Sequence, residues 1–498
     1  MSPLRLSALE LIELVADPGS WTSWDEPALP VAADAAYAAD LARARERSGL
    51  DEALVTGTTR IRGRTVAAVV GEFSFLAGSI GVSAAERLVR AVERATAERL
   101  PLVAAPVSGG TRMQEGTVAF LQMAKITQAV MAHRAAGLPY LVYLRHPTTG
   151  GVFASWGSLG HVTVAEPGAL VGFLGPRVYE AMHGSPFPPG VQLAENLHAH
   201  GLIDAVVPPG ALADIAARAL DVLATPVGDP GPVPDLPLDE LSDAPAWEVI
   251  TRSRRPDRPG VRALLRGGAT SVTPLFGTGE GEGCAGLLLA LARFGSARAV
   301  VLGQDRRAQT LEQPLGPASL RTARRGMRLA AELGLPLVTV IDTGGAALSR
   351  EAEEGGLAGE IARSLADLIT LPSPTLCLLL GQGGGGGALA LLPADRVLAA
   401  ENSWLSPLPP EGASAILYRT TDRAPEVAAA QGVRALDLRA NGIVDRIVAE
   451  RPDAADEPEE FVARVAQALE HELAALMAVN DGERRAARQR RYRTLGLS

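Results

Sequence analysis

The stretch LLLGQGGGGGALALL, residues 378–392, places five consecutive glycines between two apolar runs. Consecutive glycines usually form a flexible linker, but a linker would not be flanked by leucines on both sides. A short apolar run ending in glycines is typical of a buried strand that turns into a helix. Glycine permits positive φ there and lets a ligand atom reach the backbone. The stretch therefore predicts a strand-to-helix turn at the end of a buried strand.

Composition and charge exclude several classes of protein. The chain of 498 residues is long enough for two or three domains, and its net charge of −9 argues against a general nucleic-acid binder. We find no apolar segment near the roughly 20 residues that cross a bilayer, and the acidic, amphipathic N-terminus is unlike a signal peptide. We therefore expect a cytoplasmic protein that contacts neither nucleic acid nor membrane.

Metal and lysine chemistry are also disfavoured. Two cysteines, Cys284 and Cys377, cannot form a four-cysteine zinc site, so we expect no bound metal. Lys125 is the only lysine and the motif GxxxxGK[ST] is absent, which argues against P-loop and pyridoxal-phosphate chemistry.

The chain contains two copies of one pattern at an offset of 235 residues. The matched landmarks are Pro101 and Pro336, Gly109 and Gly344, and Pro139 and Pro374. Several landmarks at one offset indicate a duplicated domain. A Pro/Gly-rich acidic segment lies between the copies. We predict an N-terminal domain over residues 1–224, a linker over residues 225–245 and a C-terminal domain over residues 246–498.

Each copy alternates helices with short apolar strands that end in glycines, which predicts parallel βαβ units. The glycine turns are SGG (108–110), TGG (149–151), TGG (343–345) and GGGGGA (383–388). Glycines at the carboxyl end of a parallel strand, just before a helix, are a common ligand site. Tight packing of strand against helix is the alternative reason for a glycine pair. The recurrence of the turns at equivalent places favours ligand binding.

Longer motifs resemble a known family. SGGTRMQEG (108–116), PTTGGV (147–152) and VAEPGALVGFLGPRV (164–178) resemble the β subunit of acetyl-CoA carboxylase carboxyltransferase, while GQGGGGGALA (381–390) and PPEGASAILYR (409–419) resemble its α subunit. The whole chain is similar to a fused actinobacterial-type acyl-CoA carboxylase carboxyltransferase. The resemblance implies an α/β fold of two tandem crotonase-like (ClpP/crotonase superfamily) domains built from repeated ββα units.

The resemblance also implies an activity, the transfer of CO2 from carboxybiotin on a carrier protein to acetyl-CoA, giving malonyl-CoA. Negative charge develops on the thioester oxygen and on the ureido oxygen of biotin, and fixed N–H donors stabilise such oxyanions well. By the family's pattern, Gly109 and Gly110 hold the acyl-CoA oxygen, and Gly387 and Ala388 hold the biotin oxygen. Biotin's own ureido nitrogen can act as the base, so no catalytic side chain is required.

Five further residues are expected to bind substrate: Gly150, Gly151, Gly344, Gly345 and Arg112. Arg112 either lies near CoA or pairs with Glu115, three residues further on. The chain departs from the α-subunit pattern at Gly344, where proline is usual, and at Gln382, where glutamate is usual. These departures affect the expected shape of the biotin pocket.

The partners are implied by the resemblance as well. The chain lacks the biotin-attachment sequence AMKM and an ATP-grasp region, so we expect a separate biotin carboxylase and biotin carboxyl carrier subunit. In the family each site forms across a dimer interface, which implies a homodimer or a trimer of dimers.

Other functions stay open at this point. The same oxyanion chemistry would serve a biotin-independent malonyl-thioester decarboxylase, and a propionyl-CoA-preferring carboxylase or a non-catalytic scaffold subunit are further alternatives. Glu115 and Glu166 could form the acid pair of a hydratase, although helix capping or ion pairing is the more common role. His198 and His200 show no metal-ligand spacing. The arginine-rich tail, residues 483–498, predicts a solvated helix, with CoA phosphates or nucleic acid as the alternative contacts.

Overall fold

The chain forms two compact units in a computed structural model that describes residues 6–31, 33–223, 241–310 and 314–497. The first unit comprises Met1–Ala224 with Gly279–Gly281, and the second comprises Thr225–Thr278 with Glu282–Ser498. Most of the segment predicted to be a linker lies outside the described residues, so the linker stays a prediction.

The helices and strands of the first unit alternate along the chain. The helices are α1 (Ala8–Val15), α2 (Ala35–Ser48), α3 (Val82–Ala97), α4 (Gly116–Ala135), α5 (Pro176–His183), α6 (Ala194–Ala199) and α7 (Leu212–Leu223). The strands are β1 (Thr22–Ser23), β2 (Leu54–Ile61), β3 (Arg64–Gly71), β4 (Leu102–Ala105), β5 (Tyr140–Leu144), β6 (Thr148–Thr149), β7 (Val162–Ala165), β8 (Val171–Gly172) and β9 (Ala205–Val206).

The second unit follows the same alternation. Its helices are α8 (Ala246–Ser253), α9 (Val261–Gly268), α10 (Pro317–Leu333), α11 (Arg350–Glu354), α12 (Leu357–Thr370), α13 (Gly385–Leu389), α14 (Pro410–Tyr418), α15 (Ala424–Gln431), α16 (Ala435–Ala440), α17 (Pro458–Met477) and α18 (Asp481–Thr494). Its strands are β10 (Ser271–Leu275), β11 (Leu287–Phe294), β12 (Ala297–Gln304), β13 (Leu337–Thr343), β14 (Thr375–Gly384), β15 (Arg396–Ala400), β16 (Trp404–Ser406) and β17 (Arg446–Val448).

The two main sheets repeat one topology. The first has the strand order β1-β2-β3-β4-β5-β7-β9 and the second β10-β11-β12-β13-β14-β15-β17, with β16 added beside β14. In each sheet a hairpin, β2-β3 or β11-β12, is antiparallel and the strands after it are parallel. Strand β4 begins at Leu102 and β13 at Leu337, an offset of 235. The predicted duplication is confirmed.

The apolar strand that opens the glycine stretch lies in the core of the second unit. Leu376, Leu378 and Leu380 are at most 1% exposed and pack with residues of α9 and α17. Strand β14 runs through the first two glycines, and α13 begins at Gly385, whose φ is +59°. The strand-to-helix turn predicted there is confirmed. Among the described residues, no helix combines the length and apolar character needed to cross a bilayer.

Candidate active site

Two glycine turns of the second unit pack backbone against backbone. A Cβ atom added at Gly384 would lie closer than 3.0 Å to the carbonyl oxygen of Gly344, and one added at Gly387 would lie 2.8 Å from Cδ2 of Leu315 and 3.2 Å from the nitrogen of Ala346. The turns at 343–346 and 383–388 therefore lie side by side. Close packing explains the glycine at 384 without any ligand.

The main-chain amides after this contact have a second property, which packing does not explain. Within the described residues, the N–H of Gly387 bonds to no residue outside the helices and strands, and the N–H of Ala388 lies one turn inside the short helix α13. Both residues are buried. The first N–H groups of a helix have no partner within it, so the amide of Gly387 is available to a ligand acceptor.

Side chains at the strand ends hold this turn in place. The side-chain amide of Gln304 donates to the carbonyl oxygen of Gly387 at 2.7 Å. The neighbouring carboxylate of Asp342 accepts from the N–H of Gln382 at 3.1 Å. Burial raises the pKa of Asp342 above its ordinary range, and the guanidinium of Arg306, 3.6 Å away, opposes that rise. Asp342 is thus a buried acid held against the turn rather than exposed in a cleft.

A hydroxyl closes the turn after β13. Thr343 Oγ1 accepts from the N–H of Gly345 at 3.2 Å and donates to Oε1 of Gln309 at 2.7 Å. Gly344 is exposed. Of the two glycines expected to bind substrate here, Gly345 therefore has its amide engaged inside the chain.

The first unit repeats this closure in the SGG turn. The N–H of Gly110 donates to Ser108 Oγ at 2.9 Å, as Gly345 does to Thr343. The N–H of Gly109 donates to the carbonyl oxygen of Ala77 at 2.8 Å. The two amides predicted to hold the acyl-CoA oxygen are therefore already bonded within the chain, contrary to the availability that we expected of them.

The TGG turn of the first unit does offer unbonded amides. The N–H of Gly150 is shared between the carbonyl oxygens of Gly172 and Phe173, at 3.2 and 3.0 Å. The next two amides, of Gly151 and Val152, make no hydrogen bond with any described residue.

The unbonded amides of Val152 and Gly387 occupy matching places in the two units. Gly150 and Gly385, 235 residues apart, both have positive φ, +63° and +59°. Gly151 and Val152 therefore correspond to Gly386 and Gly387. Each unit therefore presents a free main-chain donor two residues after its left-handed glycine.

Comparison with known proteins places the chain in a family. A profile of the carboxyl transferase domain matches residues 5–486. The chain is 60% identical over 493 residues to the probable biotin-dependent acyl-coenzyme A carboxylase beta3 subunit of Mycobacterium tuberculosis, covering 99% of each protein. The chain belongs to the carboxyl transferase domain family.

More distant relatives agree with this membership. The carboxyl transferase is 38% identical over 516 residues to the acetyl-coenzyme A carboxylase carboxyl transferase subunits beta/alpha of Salinispora arenicola, covering 99% of this chain and 91% of the relative. Among solved structures, the transcarboxylase 12S hexamer superposes with a TM-score of 0.71 at 21% identity, covering 93% of this chain and 89% of that one. A single-chain, multi-domain long-chain acyl-CoA carboxylase gives 0.71 at 20% identity, covering 94% and 46%. The predicted fold class of two tandem crotonase-like units is confirmed.

The role predicted for Arg112 in substrate binding stays a prediction for this carboxyl transferase. Its side chain is fully buried and donates to Glu52 at 3.0 Å and to the carbonyl oxygen of Ser79 at 2.8 Å. Burial alone would lower the pKa of Arg112, but the Glu52 carboxylate raises it overall. The alternative, a contact with Glu115, is confirmed at 3.4 Å. Arg112 is therefore engaged by two carboxylates of its own unit, those of Glu52 and Glu115.

Neither glutamate considered as a hydratase acid is a free acid. Glu115 accepts from the N–H of Val82 at 2.6 Å and from the hydroxyl of Tyr37 at 2.5 Å. Desolvation, and then the contact with Glu115, raise the pKa of Tyr37 to about 12. Glu166 accepts from the N–H of His146 at 3.0 Å. Capping and local bonding, as expected from the sequence, account for both glutamates.

Titratable groups elsewhere form no metal centre among the described residues. The ring of His200 contacts the carbonyl oxygen of Asn196 at 2.9 Å on the surface. Cys377 is buried, and burial raises the pKa of its thiol to about 12. Such a thiol stays protonated and unreactive at neutral pH.

Sequence reasoning missed Gln304. It is a fully buried polar side chain at the end of the apolar strand β12. The sequence does contain an indication of its role, because a glutamine that follows VVLG interrupts an otherwise apolar strand. Its partner, the Gly387 carbonyl, lies 83 residues further along the chain, and spacing alone does not reveal such a contact.

Proposed function

We propose that this chain is the carboxyltransferase component of a biotin-dependent acyl-CoA carboxylase, and that it transfers CO2 from carboxybiotin on a partner protein to acetyl-CoA, giving malonyl-CoA. The observation that carries the proposal is the pair of matched turns with unbonded amides, one in each unit. The names of the relatives, acyl-CoA and acetyl-CoA carboxylase subunits, support this choice of chemistry.

The first unit is proposed to activate the thioester. No described residue engages the N–H groups of Gly151 and Val152, so these groups can donate to an acceptor outside the chain. Hydrogen bonds from them would stabilise the negative charge that appears on the thioester oxygen when the acyl α-carbon loses a proton. This assignment replaces Gly109 and Gly110, whose amides are engaged by Ala77 and Ser108.

The second unit is proposed to activate the CO2 donor. The amides of Gly387 and Ala388 would stabilise the charge left on the ureido oxygen when the bond between biotin nitrogen and carboxyl carbon breaks. Biotin supplies the CO2 and, through its ureido nitrogen, the base that takes the α-proton. The electron pair of the resulting enolate then forms the new carbon–carbon bond to CO2. The chain holds the two charged oxygens and excludes water.

The partners follow from the same proposal. Biotin is expected on a separate biotin carboxylase and carrier subunit. The chain is expected to pair with a second copy of itself, as a homodimer or a trimer of dimers. Exposed apolar residues support self-association: on α4 these include Phe120 at 61% and Leu121 at 58% exposure, and on α14 Ile416 at 69% and Leu417 at 61%. Clusters of this kind usually mark protein–protein contacts.

The proposed reaction is tested by mixing the purified chain with a biotinylated carboxylase partner, ATP, bicarbonate and acyl-CoA. Carboxylated product should form with acetyl-CoA and depend on the biotinylated protein. A higher turnover with propionyl-CoA would identify propionyl-CoA as the preferred substrate. One methylene in a hydrophobic pocket contributes about 1–3 kcal/mol to such discrimination. No product with acetyl-, propionyl- or butyryl-CoA, or CO2 release from malonyl-CoA without any biotin protein, would overturn the carboxyltransferase.

The proposed donors are tested at Gly387 with a matched pair of variants. Gly387→Ala and Gly387→Pro both add a Cβ next to Leu315, but only proline removes the N–H. We expect Gly387→Pro to turn over on the order of 10²-fold more slowly than Gly387→Ala, because one oxyanion donor is lost. Val152→Pro against Val152→Ala tests the first unit in the same way. Equal turnover within each pair would exclude these amides as donors.

A further inference from the structure

Gln304 uses both ends of its side-chain amide. It is the last residue of β12 and is fully buried. Nε2 donates to the carbonyl oxygen of Gly387 at 2.7 Å, and Oε1 accepts from the N–H of Asp342 at 3.2 Å. Because one partner needs a donor and the other an acceptor, only one orientation of the amide satisfies both. The side chain thus connects the end of β13 to the first turn of α13.

The contact with Gly387 determines where the next amide points. The C=O of Gly387 and the N–H of Ala388 belong to one peptide unit, which is planar and trans, so the two bonds point in opposite directions. A donor that fixes the carbonyl oxygen therefore fixes the N–H on the far side of the peptide. That N–H is one of the two proposed to hold the biotin oxygen.

The fold does not require a side chain at this place. The first unit has the same antiparallel hairpin followed by the same parallel pair, with Val70 opposite Ala105 where the second unit has Gly303 opposite Val340. Strand β3 ends at Gly71, where β12 ends at Gln304. A Cβ at Gly71 would lie 2.8 Å from the nitrogen of Val107, so this place in the first unit has no room for a side chain. The same sheet forms without the bridge.

We propose that Gln304 is a positioning residue, which holds the Gly387–Ala388 peptide so that the Ala388 N–H faces the oxyanion formed on the CO2 donor. The inference rests on the proposed function, because it assigns to that peptide a part in carboxyl transfer. It goes further by naming the side chain on which the orientation depends. Gln304 itself touches only the protein.

The test compares two buried hydrogen bonds of the same kind in the second unit. Gln304→Met keeps the length of the side chain but removes the donor to Gly387. Thr339→Val is the matched control, because Thr339 Oγ1 is also buried and donates to a nearby carbonyl oxygen, that of Leu391, at 2.7 Å. Both variants of the full chain are assayed for carboxyl transfer with the biotinylated partner, and their melting temperatures are compared.

We expect Gln304→Met to lower kcat by about tenfold or more, because a misplaced donor costs rate rather than substrate affinity. The KM for acyl-CoA should stay within about twofold of the wild type, since the thioester is assigned to the first unit. Thr339→Val should keep the wild-type kcat while losing a similar amount of thermal stability. Gln304→Asn, whose shorter side chain cannot span both contacts, should show the same fall in kcat and serves if the methionine variant does not fold.

The outcomes separate this inference from the proposed function. If the wild type transfers carboxyl groups and both Gln304 variants match its kcat, or lose no more than Thr339→Val, the positioning role is excluded while the proposed function stands. A rise in KM for acyl-CoA at constant kcat also excludes it. If the wild type transfers no carboxyl group to any acyl-CoA, the proposed function fails and this inference fails with it.

Discussion

Gly384 and Gly344 face each other across the two turns of the second unit, but only one of them lacks space for a side chain. A Cβ at Gly384 would overlap the Gly344 carbonyl oxygen, whereas a Cβ at Gly344 would lie 3.9 Å from the side-chain oxygen of Gln382. Neither residue has positive φ. The difference between them is therefore steric and not conformational.

We predict that Gly384→Ala destabilises the protein by about 1–3 kcal/mol, because backbone atoms on both sides must move apart. The melting temperature should fall by several degrees, and turnover should fall with it because the turn that carries Gly387 shifts. Differential scanning calorimetry and the carboxyl-transfer assay measure the two effects. The matched control Gly344→Ala should melt within about 2 °C of the wild type, since its Cβ has room. Equal effects of the two variants would contradict the steric argument.

For single residues, the sequence predicted where the glycine turns lie better than it predicted the contacts of each residue in them. Glycine marks a close approach or an unusual φ, so the turns could be located from the letters alone. Whether a given N–H is free depends on atoms that are distant in the sequence. The N–H of Gly109, for example, donates to the carbonyl oxygen of Ala77. The hydroxyl oxygen of Ser108 similarly accepts a hydrogen bond from the N–H of Gly110. The sequence contains no signal for either contact beyond the residue types.

Among the helices and strands, α18 shows how a local sequence pattern can lead to a wrong expectation. Helix α18 was expected to be solvated because it is rich in arginine, and for two of its arginines this expectation is wrong. Arg484 and Arg488 are each 2% exposed and share the carboxylate of Asp395. Arg488 also donates to the carbonyl oxygens of Leu368 and Leu371, both at 2.9 Å. The spacing i, i+4 places the two arginines on one face of the helix, which is the face that packs against the unit.

Replacing Arg488 should destabilise the second unit strongly. Arg488→Met leaves the carboxylate of Asp395 buried with only part of its compensating charge. The free energy of unfolding should therefore fall by about 3–5 kcal/mol. We expect the melting temperature of the second unit to fall by roughly 10 °C, measured by calorimetry. Arg490→Met on the exposed face of the same helix is the control and should change little. Similar melting temperatures for both variants would show that α18 is a solvated tail.

Helix α4 carries a histidine that makes stability depend on pH. His133 is fully buried against β5, with Nδ1 at 2.9 Å from Thr96 Oγ1 and Nε2 at 3.3 Å from the carbonyl oxygen of Pro139. Desolvation lowers the pKa of His133 from 6.5 to about 4. The folded protein therefore holds this ring neutral at a pH where the unfolded chain binds a proton.

The sign of the effect follows from linkage. Since the unfolded state binds more protons between pH 6.5 and 4, the stabilisation is complete above pH 6.5 and decreases as the pH falls through that window, by about 3 kcal/mol in total. We predict that His133→Gln flattens the dependence of the melting temperature on pH in this range. The exposed His200→Gln should leave it unchanged. A wild-type melting temperature that is constant from pH 6.5 to 4 would exclude the effect.

For the whole molecule, the repeat at one offset was enough to predict the architecture. Proline and glycine at strand ends keep their spacing because the parallel strands and their turns do, so Pro101 and Pro336 precede equivalent strands. Features found in only one copy were not predictable by comparison of the halves. Gln304, whose equivalent in the first unit is Gly71, is one of them.

The association of whole chains can be tested on the exposed apolar clusters. We predict that Phe120→Asp on α4 or Ile416→Asp on α14 lowers the sedimentation coefficient in analytical ultracentrifugation and lowers carboxyl transfer, because a charge in a buried contact must be desolvated. Leu14→Asp, which changes an exposed leucine of α1, should leave both unchanged. A wild type that sediments as an active monomer would contradict the proposed self-association.

The free main-chain donors of the TGG and GGGGGA turns have a consequence for evolution. A donor that belongs to the peptide bond survives any substitution that preserves the turn, so the neighbouring side chains, such as Met123 beside Gly151, are free to vary. Under the proposed function, descendants of one ancestral sequence can therefore acquire a preference for longer or shorter acyl groups through substitutions of the surrounding side chains, while the main-chain donors are inherited unchanged.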